Sequence, residues 1–163
     1  MTADIARLVL ELGQNAIEAG AARVVICLEQ TPAGARTVQV LDDGPGFSPA
    51  ALCRGTGEGF TTAARPGAGR GLALARRTAQ HLCLSNAPDG GALVRAWLSP
   101  AVSWGDVSGA AAALAQNAAG AAIALEVETP AGTAGFLLEP GQTPKELQRL
   151  RRQMDAALAA ALL

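Results

Sequence analysis

Two short β-branched runs, Arg23 to Glu29 (RVVICLE) and Thr37 to Asp42 (TVQVLD), are joined by the turn-forming Thr31-Pro32-Ala33-Gly34-Ala35, and this pairing constrains the chain more than any other feature. Such a pattern predicts a hairpin. Its second strand runs directly into Asp42-Asp43-Gly44-Pro45-Gly46-Phe47, so two carboxylates and two glycines sit where the strand must turn. Before the hairpin, Ile5, Leu8, Val9, Leu12 and Ala16 recur at three- and four-residue intervals between Thr2 and about Glu18. That spacing is one face of an amphipathic helix, which Gly20 ends.

After the hairpin, Ser48-Pro49 signals a short helix to about Arg54. The segment from Gly55 to Gly71 is too glycine-rich for regular structure and is expected to form a mobile loop. Leu72 to Leu82 (LALARRTAQHL) reads as a helix, which would place His81 near its end. Strands are expected over Cys83 to Asn86 and Ala92 to Leu98, joined by Pro88-Asp89-Gly90-Gly91. Beyond Pro100 the order is helix (about Asp106 to Ala118), strand (Ala122 to Glu128), turn, and strand (Thr133 to Glu139). A last helix opens at Thr143-Pro144-Lys145-Glu146, which supplies an N-cap, a proline at the first helical position and a glutamate for a capping box. Its stripe Leu147, Leu150, Met154, Leu158 and Leu162 is expected to dock. The change of character near Pro100 divides a domain over 1–100 from a helix, hairpin and helix over 101–163 that packs on the same core.

Composition narrows the function. With 13 Lys+Arg against 14 Asp+Glu the net charge is -1, which lacks the basic excess of a dedicated nucleic-acid binder or a polybasic membrane anchor. Val107 to Leu125 is free of charge but made mostly of Ala and Gly, too weakly apolar for a membrane span. No secretory signal is visible at the start. Cys27, Cys53 and Cys83 suit neither a disulfide framework nor a zinc site, which fits a reducing, cytoplasmic setting. Half the residues are hydrophobic and only 3% aromatic, so the core is expected to be built from Ala and small aliphatics.

Three clusters carry chemistry. Glu11, Asn15 and Glu18 share one helix face apart from the apolar stripe. The Asn15 carbonyl suits Mg²⁺, and the Glu11 carboxylate could hold a water as general base. Taken alone, the same face is also what a solvated helix presents. At the strand end, the acceptor-only carboxylate of Asp42 can take a hydrogen bond from an exocyclic amine such as that of adenine. Gly44 and Gly46, lacking Cβ, would let a flat base approach the backbone; a plain turn is the alternative. Finally, Gly67-Ala68-Gly69-Arg70-Gly71-Leu72 opens a helix, where backbone N–H groups and the positive dipole end favour phosphate. It lacks the Lys-Ser/Thr of a P-loop, and its glycine spacing misses the dinucleotide fingerprint by one residue.

Taken in order, these clusters resemble a known family. Glu11 to Ala21 is similar to the N box, Asp42 to Phe47 to the first glycine box and Gly67 to Leu72 to the second glycine box of the GHKL ATPases, the superfamily of gyrase, the ninety-kilodalton heat-shock chaperones, histidine kinases and MutL. Phe60-Thr61-Thr62 resembles a segment of histidine-kinase catalytic domains. The resemblance covers about residues 1–98. It implies a two-layer Bergerat-type α/β sandwich with a mixed sheet, and ATP and Mg²⁺ as ligands under a short glycine-rich lid. Asn15 would bind the metal and phosphates, Asp42 the adenine amine, and Gly44 and Gly46 would line the base pocket. Gly67, Gly69 and Gly71 would cradle phosphates, with Thr62, Arg70 and Leu72 beside them and Glu11 as the candidate general base. Arg70 would reach a phosphate or point to solvent.

The chain departs from the family pattern at Gly91-Ala92, where members commonly carry a Thr, and at Glu18, which replaces the usual aspartate. His81, the sole histidine, is read as an ordinary helix residue, so a self-contained sensor kinase is not expected. The activities that fit are slow ATP hydrolysis coupled to a protein partner, phosphorylation of a partner in trans after the manner of anti-sigma-factor or histidine kinases, or a degenerate module that binds no nucleotide. A homodimer is compatible with each.

Overall fold

In the computed structural model, residues 3–54, 70–118 and 120–161 are described. The chain runs α1 (Ile5–Glu18), β1 (Arg23–Gln30), β2 (Arg36–Asp42), α2 (Pro49–Arg54), α3 (Arg70–Thr78), β3 (His81–Asn86), β4 (Ala92–Leu98), α4 (Val107–Gln116), β5 (Ala122–Thr129), β6 (Gly132–Leu138) and α5 (Pro144–Ala161). The strands form one six-stranded sheet in the order β3-β4-β2-β1-β5-β6. All neighbours are antiparallel except β1 and β5, which pair in parallel from Arg23 opposite Ala122 to Glu29 opposite Glu128. The result is the expected α/β sandwich with a mixed sheet.

Alternation along the strands assigns the faces. Val24, Ile26 and Leu28 of β1, Val38 and Val40 of β2, Val94, Ala96 and Leu98 of β4, and Ile123, Leu125 and Val127 of β5 are buried and share one continuous core with the helices. In a strand every second side chain meets the same face, so all the helical packing lies on this side. The aliphatic, alanine-rich character of that core follows the composition. Helix α1 supplies Ile5, Leu8, Val9, Leu12 and Ala16, the stripe legible in the sequence. Its N-cap is Asp4, whose carboxylate accepts from the Arg7 N–H at 2.8 Å.

Helix α4 lies against α1 where Gly13 leaves room. A Cβ built at Gly13 would stand 2.5 Å from Leu114 Cδ1, and Leu114 is wholly buried. Helix α5 begins with the expected reciprocal cap: Glu146 N–H donates to Thr143 Oγ1 at 3.2 Å and Thr143 N–H to Glu146 Oε2 at 2.7 Å. It docks through Leu147, Met154 and Leu158. The fully buried Ser108 of α4 donates its hydroxyl to Asp155 of α5, and Arg151 pairs with Asp106 at 2.6 Å.

One element departs from the sequence reading. Helix α3 stops at Thr78, and His81 is the first residue of β3 rather than a late helix residue. The alternation of Leu82 and Leu84 overlaps the tail of the helical pattern, and pairing settles the competition. Gln80 N–H donates to the Trp97 carbonyl at 2.8 Å, His81 lies opposite Trp97 in register, and the two rings are 5.0 Å apart. Trp104 packs at the junction after β4: it is buried, donates to Gln30 Oε1 at 3.3 Å and carries the Arg36 guanidinium over its ring at 4.9 Å. Trp97 lies on the opposite face of the sheet.

The Gly13 contact yields a test. Leu114→Ala is expected to cost about 2–5 kcal/mol, as large-to-small core changes do. Gly13→Ala alone should destabilise through overpacking by about 1–3 kcal/mol less the helix-propensity gain of about 1 kcal/mol. In the Leu114→Ala background the added methyl enters the vacated space, so Gly13→Ala should stabilise. Urea denaturation of the four proteins measures this coupling, and additive effects would refute the close approach.

Candidate nucleotide site

The end of β2 is built around a buried carboxylate. Asp42 is 9% exposed, and its Oδ1 accepts from Gly44 N–H at 2.8 Å and from Ala92 N–H at 3.4 Å. Its other oxygen has no hydrogen-bond partner among the described residues. Burial raises the Asp42 carboxyl above its ordinary 3.8, the two backbone N–H groups oppose that shift, and the nearby charges of Asp43 and Asp89 add to it. Desolvation of the charged form is the dominant cause.

Neighbouring residues hold this arrangement. The Asp43 carboxylate accepts from Ala22 and Arg23 N–H at 2.8 and 2.9 Å, tying the turn to the start of β1. Gly46 has φ +76°, and a Cβ there would stand 2.2 Å from the Gly90 carbonyl oxygen. Only glycine adopts that conformation without strain. At Gly91 a Cβ would stand 1.8 Å from the Asp42 carbonyl oxygen, so the start of β4 can approach β2 this closely only without a side chain. Asn86, at the end of β3, clamps Phe47 twice: its Oδ1 accepts from Phe47 N–H at 2.7 Å and its Nδ2 donates to the Phe47 carbonyl at 2.8 Å.

A second group forms where α3 meets α1. Gly71, the second residue of α3, lies so close to α1 that a Cβ would stand 2.7 Å from Asn15 Nδ2 and 3.1 Å from the Glu11 carbonyl oxygen. The N box and the start of the helix after the second glycine box are therefore in contact. Glu11 is half-buried and forms an ion pair with Arg7 at 2.9 Å. Glu18 accepts from Gln14 Nε2 at 3.1 Å. The Leu72 side chain is in the core, 5% exposed, which leaves its backbone as the part able to face a ligand. Arg70 is the first residue of α3.

Of the residues singled out in the sequence, Asp42, Gly44 and Gly46 come together at one end of the sheet and Glu11, Asn15 and Gly71 at the middle of α1. A Cβ at Gly44 would stand 3.7 Å from Ala21 N, so the turn that follows α1 borders the first group and the helix links the two. Thr62, Gly67, Gly69 and the expected lid lie outside the described residues. Sequence reasoning missed Asn86, Asp43 and Gly91. An Asn just before Pro88-Asp89-Gly90-Gly91 was the available signal, since a short polar side chain at a strand end can bind backbone. At Ala92, where family members commonly carry a Thr, the backbone N–H donates to Asp42.

Residues 2–102 match the model of the histidine kinase-, DNA gyrase B-, and HSP90-like ATPases. The chain belongs to this family. It contains an ATP-binding domain of the GHKL type, as the order of the three boxes implied. Among solved structures it is similar to the N-terminal domain of a DNA repair protein, at 15% identity and a TM-score of 0.56, over 88% of this chain and 55% of that one. At that identity the likeness speaks for the fold, and this chain spans about half the length of that structure. No curated protein matches the sequence. Among the described residues no helix is long and apolar enough to cross a membrane, and no group of three or more His, Cys, Asp or Glu is placed to hold a metal.

The environment of Asp42 fixes a pH signature. Its folded pKa lies above the unfolded one, so the native state binds the proton more tightly. The favourable term is fully present below about 3.8 and is lost as pH rises through the folded value. Asp42→Asn removes this loss while keeping an acceptor for Gly44 N–H. Relative to wild type, the variant should therefore gain stability between about pH 3 and pH 7 in paired denaturation curves. A difference that falls with pH would show a carboxylate stabilised by its charge.

Proposed function

We propose that this chain binds Mg-ATP in the GHKL manner, with the adenine at Asp42 and the phosphates between α1 and the start of α3. The observation that carries this reading is the buried Asp42 carboxylate, one oxygen engaged by two backbone N–H groups and the other left without a donor among the described residues. The exocyclic amine of adenine is the donor that would complete it, and the glycines at 44 and 46 leave the neighbouring backbone bare for a flat ring. Gly67, Gly69 and Gly71 would offer backbone N–H groups to the phosphates, with Thr62 and Arg70 as further phosphate-side candidates.

The donor set fits magnesium. Mg²⁺ keeps several waters and leans on substrate phosphates rather than an all-protein cage. One amide oxygen at Asn15, beside the first turn of α3, would serve as a protein ligand of that kind. When bound, the metal would neutralise phosphate charge; Asn15 would orient it.

Glu11 is the group to polarise a water for slow hydrolysis coupled to a protein partner. Its pairing with Arg7 favours a second reading, since a carboxylate engaged by a guanidinium is less available as a base. In that reading the chain phosphorylates a partner in trans.

Calorimetric titration with ATP tests the site. Asp42→Asn presents an amide donor toward the adenine amine and should weaken binding about tenfold or more, the worth of one charge-assisted hydrogen bond. Unchanged affinity would mean that the adenine pocket is elsewhere. Asn15→Ala should shrink the gain in affinity that Mg²⁺ gives wild type. Glu11→Gln should leave binding intact while steady-state phosphate release falls roughly 10²–10⁴-fold. Tight binding with no release by wild type would instead favour transfer to a partner.

A further inference from the structure

The face of the sheet opposite the helices is uncovered by any described element, and its side chains form three ordered rows. Strand register gives the first row as Ser85, Leu93, Leu41, Val25, Ala124 and Leu137, from β3 across to β6. This row is apolar but for its first member, and Leu137 is 41% exposed. The second row is Cys83, Arg95, Gln39, Cys27, Glu126 and Gly135, and the third is His81, Trp97, Thr37, Glu29, Glu128 and Thr133. Charge is divided across the rows. Arg95 stands on the β3-β4 side and Glu29, Glu126 and Glu128 on the β1-β5 side.

Arg95 is the unexplained member. Its guanidinium lies over the Trp97 ring at 4.8 Å, and its Nε is buried with no hydrogen-bond partner among the described residues. A buried donor left unpaired is costly. Glu126 is exposed and, among the described residues, takes only the weak Cys27 thiol, at 3.6 Å. The acceptor that Arg95 lacks and the partner that Glu126 lacks stand in the same row on opposite sides of the sheet centre.

We propose that two copies of this chain associate through this face, as a symmetric dimer with its two-fold axis parallel to the strands and between β1 and β2. That axis keeps each row facing itself and exchanges β4 with β5. Leu41 then meets Val25 of the second copy, Leu93 meets Ala124, and Arg95 meets Glu126. The polar row pairs cation with anion twice by symmetry, as an isologous interface requires. Strands β4 and β5 lie about 7 Å from the axis. The usual angle of about -30° between packed sheets shifts them by less than about 4 Å, within reach of an Arg and a Glu. Six strands of this length present roughly 500 Å² per copy in projection, about 1,000 Å² for the pair, the lower end for a specific interface. A dissociation constant of about 1–100 µM is expected.

Sedimentation equilibrium of the full chain from about 1 to 500 µM spans that range. Wild type should dimerise. Arg95→Glu and Glu126→Arg should each raise the dissociation constant at least about tenfold, because each sets like charges opposite one another twice. An equimolar mixture of the two variants should recover a dimer near wild-type strength, since both cross-pairs are then opposite in sign. A chain that stays monomeric overturns the proposal and gives the face to another occupant. So does a dimer indifferent to either reversal, or a mixture that fails to associate. Should a reversal unfold the chain by circular dichroism, Arg95→Gln and Glu126→Gln carry the test. Each must weaken the dimer by about threefold or more, and an unchanged constant overturns the proposal.

Discussion

A carboxylate buried at the end of a strand is the constraint on which the candidate nucleotide site depends. Burial disfavours the charged form of Asp42, and the N–H groups of Gly44 and Ala92 oppose that effect. Hydrogen bonds to a charged acceptor contribute about 1.5–3 kcal/mol each. Both donors must be brought to the same oxygen, and this sets the surrounding backbone. Gly91 has no side chain because the Asp42 carbonyl occupies the space of its Cβ, Gly46 takes a positive φ beside Gly90, and Asn86 fixes the turn by its two bonds to Phe47. The glycines recognised as a nucleotide motif are thus also the ones the fold requires.

Much of this was legible in the sequence because the signals were local. The α1 stripe, the hairpin, and the capping box at Thr143 and Glu146 each depend on residues a few positions apart. The structure follows them closely. His81 was misread because a helical and an alternating pattern overlap between Leu72 and Leu84, and only the pairing with Trp97, sixteen positions away, decides between them. Asn86, Asp43 and Gly91 were missed for the same reason. Their partners are Phe47, Ala22 and Asp42, contacts that no spacing rule connects. Arg95 and Glu126 stand three strand spacings apart in the sheet and 31 positions apart in the chain, and their relation appears only through register.

The C-terminal third shows how a family domain is extended. The matched region ends at residue 102, and α4, β5, β6 and α5 follow it on the same sheet and the same core. Gly13 is what permits α4 to seat on α1, and the Ser108 and Asp155 contact then carries α5 onto α4. Glu11 and Asn15 on α1, the candidate phosphate-side residues, are consequently backed by residues more than ninety positions downstream.

The parallel pairing of β5 with β1 has a consequence for how the chain matures. During synthesis β1 and β2 can zip as soon as they emerge, but the other edge of β1 stays open until residues 122–129 have followed. An uncapped edge bearing Val24, Ile26 and Leu28 is a template for pairing with another nascent chain. At about 5–20 residues per second, the hundred or so residues between the two strands correspond to roughly 5–20 seconds of exposure. Slower translation through this interval lengthens the time for which that edge stays open.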